Sequence, residues 1–339
     1  MPVQPQWKAI SFSSSGVLMV GQMGIYCQLR ESGLLASVKD FYGCSGGGLC
    51  AYLGALGVTP AWIREWIQHF DTRPIMNIQE DMVVDYMTTW GVDSGVQASD
   101  YIGKFVDTWE PGASQWTFAD LARERPGVSL TITATNVSAS CQAVFSIERS
   151  PSMRIADALR ASSSVPFYLS PWADPSGQFF CDGAVIESYP RQCVKSAAET
   201  LFIVCAGPPS PLSITSLGEY IHRIMRIARF RNHKEAEPDH IIYVKNCGIM
   251  LLNFMISKEE RLRVFASGLS DAAAWIKQVS PAETEGSRIC SGDPHTLSAS
   301  RPSPESSSGS RPPCSPLPPR APVPDLPRGG PRKCRRWSV

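Results

Sequence analysis

The chain has 339 residues, 43% of them hydrophobic and 19% charged, with a formal net charge of +1. That length allows one large domain or two ordinary ones, and the balanced charge excludes a global field that would gather nucleic acid. No run of 18 or more apolar residues reads as a membrane span, and the first sixteen residues lack the apolar core of a secretory signal. Eleven scattered cysteines form no CxxC pair and no His/Cys spacing suited to a metal. An odd cysteine count without a secretory signal predicts reduced thiols in a cytoplasmic protein, not a secreted one.

In chain order, residues 8–13 (KAISFS) predict a strand and residues 24–32 a helix. Residues 38–42 predict a short strand running into a glycine cluster, and 49–56 an Ala- and Leu-rich buried helix. Residues 61–122 predict a mostly helical excursion carrying Trp90, Tyr101, Phe105, Trp109, Trp116 and Phe118. Those aromatics either wall an acyl pocket or fill ordinary core, and helical spacing favours core. Strands follow at 129–135, 143–147, 178–181, 201–205 and 240–244, with helices at 152–162, 216–230 and 258–277. Strands interleaved with helices predict an α/β fold on a largely parallel sheet.

In the helix at 216–230, Leu217, Tyr220, Ile221, Ile224, Met225 and Ala228 share one face, with Arg223, Arg226 and Arg229 largely elsewhere. That pattern predicts packing on the sheet with the arginines in water, an interfacial membrane helix being the alternative. Composition changes near Ser280. Residues 281–339 are rich in Pro, Ser, Gly and Arg, with nine basic against five acidic residues, so a folded domain at 1–280 is followed by a disordered tail. The tail's PxxP spacings at 313–320 offer a weak match to an SH3-type partner, and its basic end at 332–337 offers weak peripheral membrane contact.

Gly43-Cys44-Ser45-Gly46-Gly47 matches G-x-S-x-G, between a β-type run and an Ala/Leu-rich helix. That strand–turn–helix setting presents a serine hydroxyl at a sheet edge, with helix N–H groups beside it for an oxyanion. Gly43 and Gly47 keep strand and helix close enough for the turn. A serine needs a base. His69, His222, His233, His240 and His295 are all poorly placed for a triad, although His222, His233 and His240 keep that alternative open. The run Gln178-Phe179-Phe180-Cys181-Asp182-Gly183-Ala184 offers a carboxylate at a strand end instead, or simply an Asp-Gly turn.

ISFSSSG at 10–16, GCSGG at 43–47 and DGA at 182–184 together resemble patatin-like phospholipases. LTITATN at 130–136, AVFS at 143–146 and ADALRASSSVP at 156–166 extend the likeness over roughly residues 8–278. The resemblance implies a three-layer α/β/α sandwich and a Ser–Asp dyad of Ser45 and Asp182. It also implies hydrolysis of acyl esters in phospholipids or acylglycerols, with no metal or organic cofactor. One loop departs from the family pattern. Where a glycine triplet and a following basic residue are usual, this chain has Ser14-Ser15-Gly16-Val17-Leu18-Met19. Serine there is expected to cost about 1–2 kcal/mol of strain or to redirect the loop. Gly16 and Gly46 then remain as backbone donors, with a Ser14 or Ser15 hydroxyl as substitute. The second reading this loop suggests is a catalytically weak or silent protein of the same fold that binds lipid or a protein partner.

Overall fold

Apolar strands alternate with helices along the chain, and folding buries the strands in one sheet between helical layers. The computed structural model describes residues 7–75, 77–205, 214, 217–230 and 240–279, all within one compact unit, Met1–Glu283. Strand β1 (Ala9–Phe12) passes through a serine-rich turn into α1 (Met19–Glu31). Strand β2 (Asp40–Cys44) is separated from α2 (Gly46–Leu56) by Ser45 alone. Helices α3 (Pro60–His69), α4 (Glu80–Val84), α5 (Tyr86–Thr89), α6 (Val96–Trp109) and α7 (Phe118–Glu124) form the expected excursion. Strands β3 (Ser129–Asn136) and β4 (Cys141–Phe145) lead to α8 (Ile155–Ser162), then to β5 (Trp172–Ala173) and β6 (Phe179–Cys181). The chain continues through β7 (Thr200–Val204), α9 (Leu217–Phe230), β8 (Ile241–Tyr243) and α10 (Lys258–Val279). The tail at 281–339, with its proline-rich and basic segments, lies outside the described residues.

The eight strands pair in the order β5-β6-β3-β2-β1-β7-β8, with β4 also on β3. From β8 to β3 every pairing is parallel, whereas β3–β4, β3–β6 and β5–β6 are antiparallel. The fold is the expected α/β/α sandwich, mostly parallel, with an antiparallel flank that the strand lengths alone did not indicate. Two registers on β3 matter for the site. Thr133 pairs with Cys44 and with Val144, and Thr135 with Cys181 and with Gln142. A strand has two edges, so β2 and β6 share the edge of β3 opposite β4. They run toward each other along it, and Ser45 and Asp182 are the residues at which they meet.

Helix α1 starts five residues earlier than predicted because its first turns are buried on every side, which leaves no amphipathic period to read. It packs closely on α10, where Gly21 and Gly24 face Gly268 and Phe265. Helix α2 also starts earlier, at Gly46; its three opening glycines are poor helix formers that packing retains. Helix α9 buries Ile221 and Met225 beside Cys44, Val165 and Ala184. Tyr220 and Ile224, expected on that face, are exposed, and Arg223, expected in water, is largely buried and paired with Glu219. Among the described side chains, Ile221 and Met225, one turn apart, make this contact. Five of the six excursion aromatics belong to the core or pack against it, Tyr101 and Phe105 on Phe70 and Trp109 on Trp62, whereas Trp90 is half exposed. Among the described residues no helix is long and apolar enough to cross a membrane.

Gln22 on α1 is fully buried, and a buried amide needs partners. Its Nε2 donates to the Ser13 carbonyl at 2.9 Å and its Oε1 accepts from Ser15 Oγ at 3.0 Å, fastening the turn after β1 to the helix. Gln22→Met keeps the volume but leaves two buried polar groups unpaired, at about 1–3 kcal/mol each. The thermal midpoint of this substitution is expected to fall by roughly 5–10 °C, read by circular dichroism. An unchanged midpoint would show that the turn does not depend on the amide.

Candidate active site

The site is assembled at the junction of β2 and β6. Ser45 has φ 54° and ψ −128°, a backbone conformation costing of order 1–3 kcal/mol for a residue with a side chain. The surroundings hold it there. Its N–H donates to Ser162 Oγ at 2.7 Å, and that hydroxyl donates onward to the Thr133 carbonyl at 2.6 Å. Its carbonyl accepts from the Gly48 N–H at 2.8 Å. The predicted small residues are needed: a Cβ on Gly47 would overlap the Ser13 carbonyl oxygen, and one on Gly43 would lie 2.6 Å from Gly48 Cα. Helix α2 therefore sits directly on the ends of β1 and β2.

Asp182 is 2% exposed and Ser45 6%. Ser45 Oγ donates to Asp182 Oδ2 at 2.7 Å. The other carboxylate oxygen, Oδ1, accepts from the Ala184 N–H at 2.8 Å, so the strand-end Asp-Gly turn also orients the carboxylate. The Asp182 N–H donates to the Ser164 carbonyl at 2.8 Å, and the Asp182 carbonyl accepts from Thr135 Oγ1 at 3.0 Å. The alternative of a mere turn is thus half right: the turn exists, and it aims the side chain at Ser45. Asp182 arrives on an antiparallel strand descending along β3, not on a parallel one rising beside β2.

The loop before α1 differs from expectation. Neither Ser14 nor Ser15 has positive φ; the left-handed position is Gly16, at φ 48°. Serine at 14 and 15 therefore carries none of the anticipated strain, and the glycine that the backbone requires is present. A side chain at Gly16 would in addition overlap the Leu251 carbonyl oxygen. The two hydroxyls are committed elsewhere, Ser14 Oγ to Ser188 Oγ at 2.7 Å and Ser15 Oγ to Gln22, so neither substitutes as a donor toward Ser45. The Ser14 N–H is taken by the Ser188 carbonyl and the Val17 N–H by the Leu251 carbonyl. Among the described residues no hydrogen bond takes up the Gly16 N–H, and its nitrogen lies 3.2 Å from where a Cβ on Gly46 would stand. Gly46 opens α2, where the first N–H groups have no intrahelical acceptor.

Ser45, Gly46 and Gly16 line a cavity of about 670 Å³, within the range of small-molecule sites. Its wall is mainly apolar, with Leu49, Ile102, Val106, Leu159, Leu252 and Phe254 among the lining residues. None of the six excursion aromatics lines it; α6 turns its other face to the space. Arg160, which also lines the cavity, donates to the Ser94 and Ser170 carbonyls at 2.6 and 2.8 Å and to Ser164 Oγ. Burial lowers its pKa to about 10 against the opposing field of Asp93, so the guanidinium stays charged at neutral pH. Sequence reasoning placed Ser162, Ser164 and Arg160 in a helix and serine-rich turn without roles. The signal was the SSS run itself, which supplies one hydroxyl behind Ser45 and one carbonyl behind Asp182. Among the described residues no three His, Cys, Asp or Glu side chains are grouped to hold a metal. His240 meets Trp7 edge-on with ring centroids 4.6 Å apart, and His69 pairs with Glu65. His233 and His295 lie outside the described residues.

The chain resembles known proteins in sequence and in fold. A probable lipid hydrolase of Invertebrate iridescent virus 6 is 25% identical over 186 residues, covering 51% of this chain and 60% of the relative. The chain thus matches less than two thirds of that relative's length. Among solved structures, VipD from Legionella pneumophila superposes with a TM-score of 0.56 at 15% identity, over 81% of this chain and 67% of VipD. Human GIVD cytosolic phospholipase A2 gives a TM-score of 0.46 at 12% identity, over 81% and 60% of the two chains. The family model described as patatin-like phospholipase matches residues 10–192, more than half of the sequence, and the chain belongs to that family.

Proposed function

We propose that this protein is a serine lipid acyl hydrolase that cleaves carboxylic esters of phospholipids or acylglycerols through a Ser45–Asp182 dyad. The observation that carries the proposal is the 2.7 Å hydrogen bond between Ser45 Oγ and Asp182 Oδ2 beside an apolar cavity. Asp182 accepts the hydroxyl proton as Ser45 Oγ attacks the ester carbonyl carbon. The N–H groups of Gly16 and Gly46 stabilise the negative charge that develops on the carbonyl oxygen. Collapse of the tetrahedral intermediate breaks the ester C–O bond, and the leaving alcohol takes the proton back from Asp182. Water, deprotonated by the same carboxylate, then releases the fatty acid from Ser45. The apolar wall suits an acyl chain, and a lipid substrate implies work at a lipid surface, inside the cell by the sequence reading. The second reading, a silent lipid- or partner-binding protein, rests on the Ser14–Met19 loop; the ordinary backbone angles of Ser14 and Ser15 speak against its strain argument, and the missing basic residue still favours it.

Fluorophosphonate labelling with mass-spectrometric mapping tests the dyad without a guess at the natural lipid. Labelling is expected at Ser45 and is expected to vanish in Ser45→Ala and to fall at least about a hundredfold in Asp182→Asn. A folded protein that stays unlabelled, or a label on another serine, would falsify the proposal. Ser162→Ala removes the acceptor for the strained Ser45 N–H, a loss of about 1–3 kcal/mol. Its labelling rate is expected to drop roughly tenfold with the modified residue unchanged. An undiminished rate would mean that the elbow holds its shape without that hydroxyl.

A further inference from the structure

Helices α4 and α5 are the only described α-helices without a buried residue. Ile78, Val83, Val84, Met87, Trp90 and Val96 are all exposed, Val84 and Met87 at 84% each. Six of the fifteen exposed large apolar side chains among the described residues thus fall within 78–96, a concentration of the kind that marks an interaction surface. Trp90 closes α5 with φ 55°, strained for so large a residue, its ring edge-on to Phe179 at 5.3 Å and its side chain half in water. An indole held half out is the side chain best suited to the boundary between headgroups and acyl chains.

The patch is continuous with the cavity. Ile75 and Val96, on either side of this segment, line the cavity together with Ser45. Phe254 lines it too and accepts a hydrogen bond from Thr72 at 2.7 Å, and its neighbour Met255 is 71% exposed. The exposed charge of the segment is one-sided, the Arg160 guanidinium that reaches Ser94 from α8 being largely buried. Between Arg73 and Lys104 there is no basic residue, whereas Glu80, Asp81 and Asp85 are exposed and have no ion pair among the described residues. Such a surface repels anionic lipid and complements the outward trimethylammonium of a choline headgroup.

We infer that the α4–α5 segment, with Val96 and Met255, is a docking surface for a zwitterionic phosphatidylcholine-type bilayer, which sets the cavity mouth against the lipid. The inference extends the proposed hydrolase reading, since it gives the cavity its route to acyl chains, but binding is measurable without turnover. Sedimentation of the Ser45→Ala protein with phosphatidylcholine vesicles is expected to show binding that weakens as phosphatidylserine is mixed in. Val84→Glu/Met87→Glu is expected to lower phosphatidylcholine binding at least about tenfold, the worth of one buried apolar side chain. Made in the active protein, the same double substitution is expected to leave hydrolysis of a water-soluble short-chain ester unchanged. Glu80→Lys/Asp81→Lys/Asp85→Lys is expected to tighten binding to phosphatidylserine-containing vesicles at least about tenfold. Vesicle binding indifferent to both sets of substitutions would overturn the inference. So would a dimer that Val84→Glu/Met87→Glu dissolves in a protein that ignores vesicles, because the surface would then belong to a second copy. Vesicle binding as expected with no ester hydrolysed would retain the docking surface and remove the hydrolase reading.

Discussion

The head-to-head meeting of β2 and β6 along one edge of β3 is the constraint on which the site depends. Neighbouring parallel strands would deliver Ser45 and a carboxylate side by side, about 4.8 Å apart at the backbone and aimed the same way. Here the two strands run toward each other, and the residue just past each end stands against the same stretch of β3. The opposed approach lets a short side chain such as Asp182 touch Ser45 Oγ directly, with no imidazole between them. The antiparallel flank is therefore part of the site's construction, and β5 and β4 brace the strand pair that forms it.

Strain at Ser45 has to be offset locally. A positive φ with ψ near −128° costs of order 1–3 kcal/mol, about what one or two hydrogen bonds in a buried setting return. The returns come from the segment ending α8. Ser162 Oγ accepts from the Ser45 N–H, and two residues later the Ser164 carbonyl accepts from the Asp182 N–H. One short stretch of chain thus fixes both halves of the dyad, and Arg160 in turn holds Ser164. Buried hydrogen-bond networks of this kind specify a single arrangement because each member loses its partner if another moves.

Much of this was legible in the sequence. The G-x-S-x-G turn between a β-type run and an Ala/Leu-rich helix, and an apolar strand ending in Asp-Gly, identify Ser45 and Asp182 as a candidate pair. Composition and spacing could not reveal strand direction at the flank, because side-chain alternation is the same for parallel and antiparallel strands, and β5, two residues long, has no period to read. The start of α1 was hidden for a different reason: a helix buried on every side has no polar face to mark its period. The loop at 14–16 was misread because residue type was taken as a proxy for backbone angle. Two serines replace glycines there, yet the only left-handed position is still occupied by Gly16. Arg223 on α9 lies against the protein and not in water, because a helical wheel shows which residues share a face, not how much of that face its neighbour covers.

The contrast between this fastened centre and the α4–α5 segment follows from how their apolar groups are satisfied. Around Ser45 the dyad itself is held by hydrogen bonds to Ser162 Oγ and the Ser164 carbonyl and from Ala184 and Thr135, so its geometry is fixed before any substrate arrives. In α4 and α5 no residue is buried, and helices of five and four residues are too short to be stable by themselves. Such elements belong to the low-stability end of a protein, where ordering by a partner costs little native structure. A lipid surface supplies the apolar environment that the protein withholds from Val84, Met87 and Trp90. A rigid site beside a poorly supported apolar rim separates two demands that conflict within one element. Chemistry needs fixed distances, whereas an interface of fluctuating lipids needs side chains able to settle into it.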